Sequence, residues 1–151
     1  MVVVRLARPD DEGLLLRWAN DPLTRRMSFH PDPITPEAHA VWFREVLSGS
    51  RAWQLIVEML DGTPVGQVRV AQDGEISISL AEERRGRGLA APALRAALDW
   101  ARRELGLARA VARIKPDNEA SIKAFEAVGF RCEGETSVAG QRCLTYVKQL
   151  G

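Results

Sequence analysis

Residues 75–90 read EISISLAEERRGRGLA, and the fold turns on how this stretch divides. Ile76, Ile78 and Leu80 alternate with Ser77 and Ser79, the period of a strand with one face on a core. Beyond the turn, Leu94, Ala97, Leu98, Ala101 and Leu105 fall on one helical stripe. Between strand and helix lie Arg84, Arg85 and Arg87 with Gly86 and Gly88. A helix start presents N–H groups without intrachain partners and the positive end of the dipole, so strand, glycine turn and helix together make an anion site. The two glycines let a ligand approach the backbone with no Cβ in the way.

Two phosphate motifs are weaker fits. Gly86 to Ala91 satisfies G-x-G-x-x-G/A, the dinucleotide fingerprint, but its strand carries polar Ser77 and Ser79, whereas a central parallel strand is buried on both faces. Where a ribose-binding acid belongs, the chain reads Leu107-Ala108-Arg109. No G-K-[ST] follows the turn, so a P-loop also fails.

Working outward, Val2 to Leu6 reads as a strand. Asp10 and Asp11 open a helix carrying Leu14, Leu15 and Trp18, and Asn20-Asp21-Pro22 stops it. Thr35-Pro36-Glu37 starts a second helix, expected to reach Leu47 and to end at Ser48-Gly49-Ser50. Trp53, Leu55 and Val57 alternate, Asp61-Gly62 turns, and Val65 to Val70 returns as the third strand. EISISL is the fourth, after a turn at Gln72-Asp73-Gly74. RAVARI (109–114) is the fifth. A helix follows, capped by Asn118 or Asp117 and closed by Gly129, and Phe130–Glu133 and Arg142–Lys148 form a last hairpin. The order is mixed α/β with a largely antiparallel sheet, in one domain spanning 1–151.

A net charge of +1 over 151 residues discourages nucleic acid as a partner, because phosphate-backbone binding needs clustered excess cation. The apolar N-terminal run is too short for a signal or membrane segment. The two cysteines, Cys132 and Cys143, form no metal pattern, so no metal is expected and both thiols read as reduced in a cytoplasmic protein.

The segment Arg85-Gly86-Arg87-Gly88-Leu89-Ala90 resembles the R/Q-x-x-G-x-G/A signature of the GNAT superfamily of acetyl-CoA-dependent N-acetyltransferases. NEASIKAFEAVGF (118–130) resembles that family's second motif, N-x-x-A/S with a terminal G-F, and the element order matches throughout. The resemblance implies a mostly antiparallel seven-stranded sheet splayed between strands four and five, flanked by about four helices. It implies acetyl-CoA as donor, with its diphosphate on the amides of Arg85 to Ala90. The pantetheine arm would run beside Ser79 and Leu80, with Asn118, Ser121 and Phe125 also lining the cofactor.

Direct attack of an amine on the thioester needs a base, and Glu58, Glu75, His30 and His39 are candidates, with Glu75 placed first. Many family members carry tyrosine, as general acid, where this chain has Phe125. Tyr146, the only tyrosine, is the candidate replacement. A thiolate whose conjugate thiol titrates near 8.5 also leaves tolerably without an acid.

WANDPLTRRMSFHPDPITPEAHAVWF (18–43) combines aromatics, histidines and arginines, which suit base stacking and phosphate. It resembles sugar-nucleotide N-acetyltransferases of nonulosonic (pseudaminic-type) acid synthesis, with their W-x-N-D/S-x-x-x-R and P-I-T/S-x-E-x-H-x-x-W/F patterns. That implies a UDP-linked 4-amino sugar held by Trp18, Asn20, Arg25, His39 and Trp42. A protein N-terminal α-amine is the alternative acceptor, and a non-catalytic acetyl-CoA sensor the alternative to an enzyme.

Overall fold

The computed structural model describes residues 1–49 and 52–151; Ser50, part of the expected helix stop, lies outside them. The elements in order are β1 (Val2–Leu6), α1 (Glu12–Ala19), α2 (Pro22–Met27), α3 (Pro36–Leu47), β2 (Ala52–Met59), β3 (Pro64–Ala71), β4 (Ile76–Leu80), α4 (Ala90–Leu105), β5 (Arg109–Ile114), α5 (Glu119–Ala127), β6 (Arg131–Val138) and β7 (Gln141–Gln149). Short 3-10 turns occupy Pro9–Asp11 and Glu82–Arg84.

The strands form two antiparallel sheets, β1-β2-β3-β4 and β5-β7-β6. They meet at one parallel bridge, Glu75 with Val111, where the Val111 N–H donates to the Gly74 carbonyl at 3.0 Å. Beyond that bridge β4 and β5 part, and the splay opens there.

Helices cover both faces, which explains why β2 is buried continuously from Gln54 to Val57 instead of alternating. Leu55 and Val57 pack with Leu94, Ala97 and Ala101 of α4 and with Phe125 of α5. Ile56 faces the opposite way, into a smaller core with Leu15 and Trp18 of α1 and Phe43 and Val46 of α3.

Two details extend the expected pattern. Asn20-Asp21-Pro22 does stop α1, but it also starts α2. Asp21 is the N-cap, its carboxylate accepting from the Thr24 N–H at 3.1 Å, and Pro22 is the first helical residue. Five α-helices are therefore found among the described residues where about four were expected. The terminal hairpin also runs further, because β6 is an exposed edge strand with no apolar alternation to mark its end.

Candidate active site

The gap between β4 and β5 opens into a cavity of about 970 Å³. Ser77, Ile78, Ser79 and Leu80 line one wall and Ala112, Arg113 and Ile114 the other, while α5 contributes Asn118, Ser121 and Phe125. α2 and α3 close the far side with Leu23, Thr24, Arg25, Met27, His39 and Trp42. Past Glu75, the outer edge of β4 has no strand partner among the described residues.

At one end of the cavity lies the glycine turn. Gly86 and Gly88 have φ of +73° and +72°, and a Cβ built on either meets nothing within 4 Å. Glycine is required here by backbone conformation, and the space above both residues is open. No side chain caps α4 at Leu89, and the N–H groups of Gly88, Leu89 and Ala90 have no acceptor among the described residues. An oxyanion fits this arrangement: unpaired donors, the positive end of a 16-residue helix, and room for a ligand.

Of the residues expected to hold the donor, Ser79, Leu80, Arg85, Ala90, Asn118, Ser121 and Phe125 line the cavity. Gly86, Arg87 and Gly88 sit exposed just outside it, and Leu89 is half-buried beside them. Asn118 caps α5, its Oδ1 accepting from the Ser121 N–H at 3.3 Å. Arg85 reaches back to α2, its Nη2 lying 2.5 Å from Asp21 Oδ2.

The acceptor-side expectations divide. Trp18 is core, packed with Leu15 and Phe43. Asn20 clasps the backbone of Ile34, donating to its carbonyl and accepting from its N–H, both at 2.8 Å. Neither lines the cavity. Arg25 does, while its Nε donates to the Ala19 carbonyl at 2.6 Å and its Nη1 to the His30 carbonyl at 2.9 Å. Burial lowers the pKa of that guanidinium, and no carboxylate pairs with it among the described residues.

His39 is 3% exposed and stacks on Phe43, with ring centroids 6.1 Å apart. Both its ring nitrogens are buried without a hydrogen-bond partner. Burial pushes its pKa below the ordinary histidine value, against a weaker opposing pull from Glu12, so the imidazole is neutral near pH 7. Trp42 lies under the guanidinium of Arg69, 5.8 Å from the ring centre.

Glu75 lines the cavity beside the bridge and accepts from Arg113 at 2.7 Å. Glu58 is held by Arg5 and is not part of the lining. Tyr146 does not reach the cavity. Its ring is in the core and its hydroxyl donates to Glu126 at 3.1 Å; burial and that carboxylate raise its pKa and keep it a phenol. Phe125 is 2% exposed and packs edge-on against Phe130.

Residues 2–131 match the model of the acetyltransferase (GNAT) domain. The chain belongs to the GNAT acetyltransferase family. It is an N-acetyltransferase that takes acetyl from acetyl-CoA to an amine. Among solved structures it is similar to the spermidine N-acetyltransferase of Vibrio cholerae, with TM-score 0.86 and 17% identity over 99% of this chain and 95% of that one. It is also similar to the aminoglycoside acetyltransferase AAC(6')-Ib, with TM-score 0.83 and 20% identity over 99% and 95% of the two chains. A domain from Methanocaldococcus jannaschii gives TM-score 0.83 and 25% identity over 99% and 98%. No curated protein matches the sequence.

In this acetyltransferase the fit to acetyl-CoA rests on the unpaired amides of the turn, the open strand edge and the cavity between the sheets. When bound, the cofactor supplies a thioester carbonyl open to attack by an amine. Among the described residues no helix is long and apolar enough to cross a membrane, and no cluster suits a metal ion.

Sequence reasoning missed Arg69 and Arg113, and it read Asp21 only as part of a helix stop and of the W-x-N-D/S-x-x-x-R resemblance. The Asp-Pro pair was the available sign for Asp21, since the same two residues that end one helix also cap the next.

Proposed function

We propose that this acetyltransferase acetylates a primary amine carried on an anionic small molecule, namely the 4-amino group of a UDP-linked amino sugar. The observation that carries the reading is the charge of the cavity wall. Four arginines line it, Arg25, Arg69, Arg85 and Arg113, against two carboxylates, Asp73 and Glu75. Arg85 is paired with Asp21 and Arg113 with Glu75. Arg25 has no such partner and is partly desolvated, which favours a ligand bearing negative charge. A polycationic acceptor would have to displace or oppose these guanidinium groups. Trp42 offers an aromatic face beside Arg69, the pairing that suits a nucleotide base and its phosphates.

Within this reading Glu75 takes a proton from the acceptor's ammonium, directly or through water, so that the neutral amine attacks the thioester carbonyl, and Arg113 holds that carboxylate in the gap. Arg25 orients the anionic part of the acceptor. No acid stands at Phe125, and the thiolate departs without one near neutral pH.

The test is CoA release from acetyl-CoA with three acceptor classes in parallel: UDP-linked 4-amino sugars, polyamines with aminoglycosides, and N-terminal peptides. Turnover concentrated in the first class is expected. Turnover confined to the polycations or the peptides refutes the acceptor while leaving the donor chemistry intact.

A further inference from the structure

We propose that Asp21 is a positioning residue of the donor site. Acting through Arg85, its carboxylate fixes the glycine turn and joins it to the acceptor wall. The geometry is concentrated on one atom. Asp21 Oδ2 accepts from the Thr24 N–H at 3.1 Å, from the Thr24 hydroxyl at 3.2 Å and from Arg85 Nη2 at 2.5 Å. The last contact spans 64 positions of sequence and is largely screened from solvent, the two side chains being 27% and 13% exposed.

Neither segment joined by this contact contains a fully buried residue. The turn beyond Arg85 is exposed, and its two positive-φ glycines have nothing within 4 Å of where a Cβ would stand. α2 is six residues long and has no buried residue, yet it supplies Leu23, Thr24, Arg25 and Met27 to the cavity. A charge-assisted hydrogen bond between two segments without a buried anchor adds order to both. Donor and acceptor binding are thereby coupled, and such coupling is reciprocal. The inference does not depend on which amine is acetylated.

The proposal makes a prediction opposite in sign to simple electrostatics. Removing an acid near an anion site favours anion binding by Coulomb's law alone. If Asp21 positions the turn, removing its charge weakens binding instead. Asp21→Asn keeps a good helix cap while removing the charge.

Titration calorimetry with CoA should show the dissociation constant rising roughly three- to tenfold in Asp21→Asn, the scale of an ordinary hydrogen bond, because the contact acts on CoA only through Arg85. In the Arg85→Gln background the same substitution should add no further loss. Hydrogen exchange of the unliganded protein should quicken at the hydrogen-bonded amides that flank the contact, Ala93 in the first turn of α4 and Arg25 and Ser28 at α2, with the second half of α4 unchanged. Unchanged or tighter CoA binding in Asp21→Asn overturns the proposal, and so do additive losses in the double variant. Asp21→Ser, another good cap without charge, provides the same readout if the asparagine variant folds poorly.

Discussion

His39 provides a quantitative test because its two ring nitrogens are buried without partners in the unliganded protein. The perturbation is His39→Leu. An unsatisfied buried donor or acceptor costs about 1–3 kcal/mol, and leucine removes two of them. Against that gain stand the ring contacts with Trp42 and Phe43, at 5.1 and 6.1 Å between centroids, worth about 0.5–1.5 kcal/mol each. At pH 7.5 the relief of two unsatisfied atoms outweighs the two lost ring contacts, and the variant should be more stable than wild type by about 2 kcal/mol.

The pH dependence is sharper. Burial holds the folded pKa of His39 below its unfolded value of about 6.5, so the unfolded state takes up a proton first as pH falls. Wild-type stability is therefore full above pH 6.5 and declines below it, while the leucine variant lacks this contribution. At pH 5.5 the difference amounts to at most about 1.4 kcal/mol in favour of the variant, relative to pH 7.5. Urea unfolding at the two pH values measures it. Parallel stability profiles for the two proteins would refute the reasoning, because they would mean that His39 titrates alike folded and unfolded.

Gly88→Ala places a Cβ on a residue at φ +72° with open space around it, so the cost is conformational, about 1–2 kcal/mol. CoA affinity measured by calorimetry should fall by about 5- to 30-fold if the turn relaxes out of its binding shape. Gly66→Ala fails differently: its Cβ would lie 2.7 Å from the Ser79 backbone oxygen, so β4 must shift. Both thermal stability and CoA affinity should drop, by about 1–3 kcal/mol in stability. Asp11→Asn breaks a carboxylate that accepts two guanidinium bonds from Arg5, at 2.8 and 3.0 Å, and should cost about 2–3 kcal/mol near neutral pH. Arg5 holds the Asp11 pKa below the carboxylate range, so this contribution is present above about pH 4 and is lost as pH falls through the folded pKa. Urea unfolding at pH 7 and pH 3.5 should show the gap between variant and wild type narrowing.

Much of the fold was legible because periodicity and punctuation agreed. The alternation of Ile76, Ile78 and Leu80, the glycine turn and the stripe from Leu94 to Leu105 fell where β4, the turn and α4 are found. What escaped is what one-dimensional signals do not carry. Asp21-Pro22 reads equally as an end and a beginning, so α2 was absorbed into a stop. β6 shows no alternation because nearly all of it is exposed. Trp18 on α1 and Trp42 on α3 both fall on amphipathic helices, and only packing separates the core residue from the cavity residue. The pairing of Arg85 with Asp21 joins distant positions that no local pattern connects.

The central claim is that acetyl transfer is directed to an amine on an anion by the Arg25 side of the cavity. The most direct measurement compares kcat/KM for one 4-amino sugar with and without its nucleoside diphosphate, in wild type and in Arg25→Gln. A charged hydrogen bond of about 1.5–3 kcal/mol predicts a preference of at least tenfold for the diphosphate form, and that preference should shrink in the variant. Equal kcat/KM for the two sugars, or a preference that Arg25→Gln leaves untouched, would contradict the account.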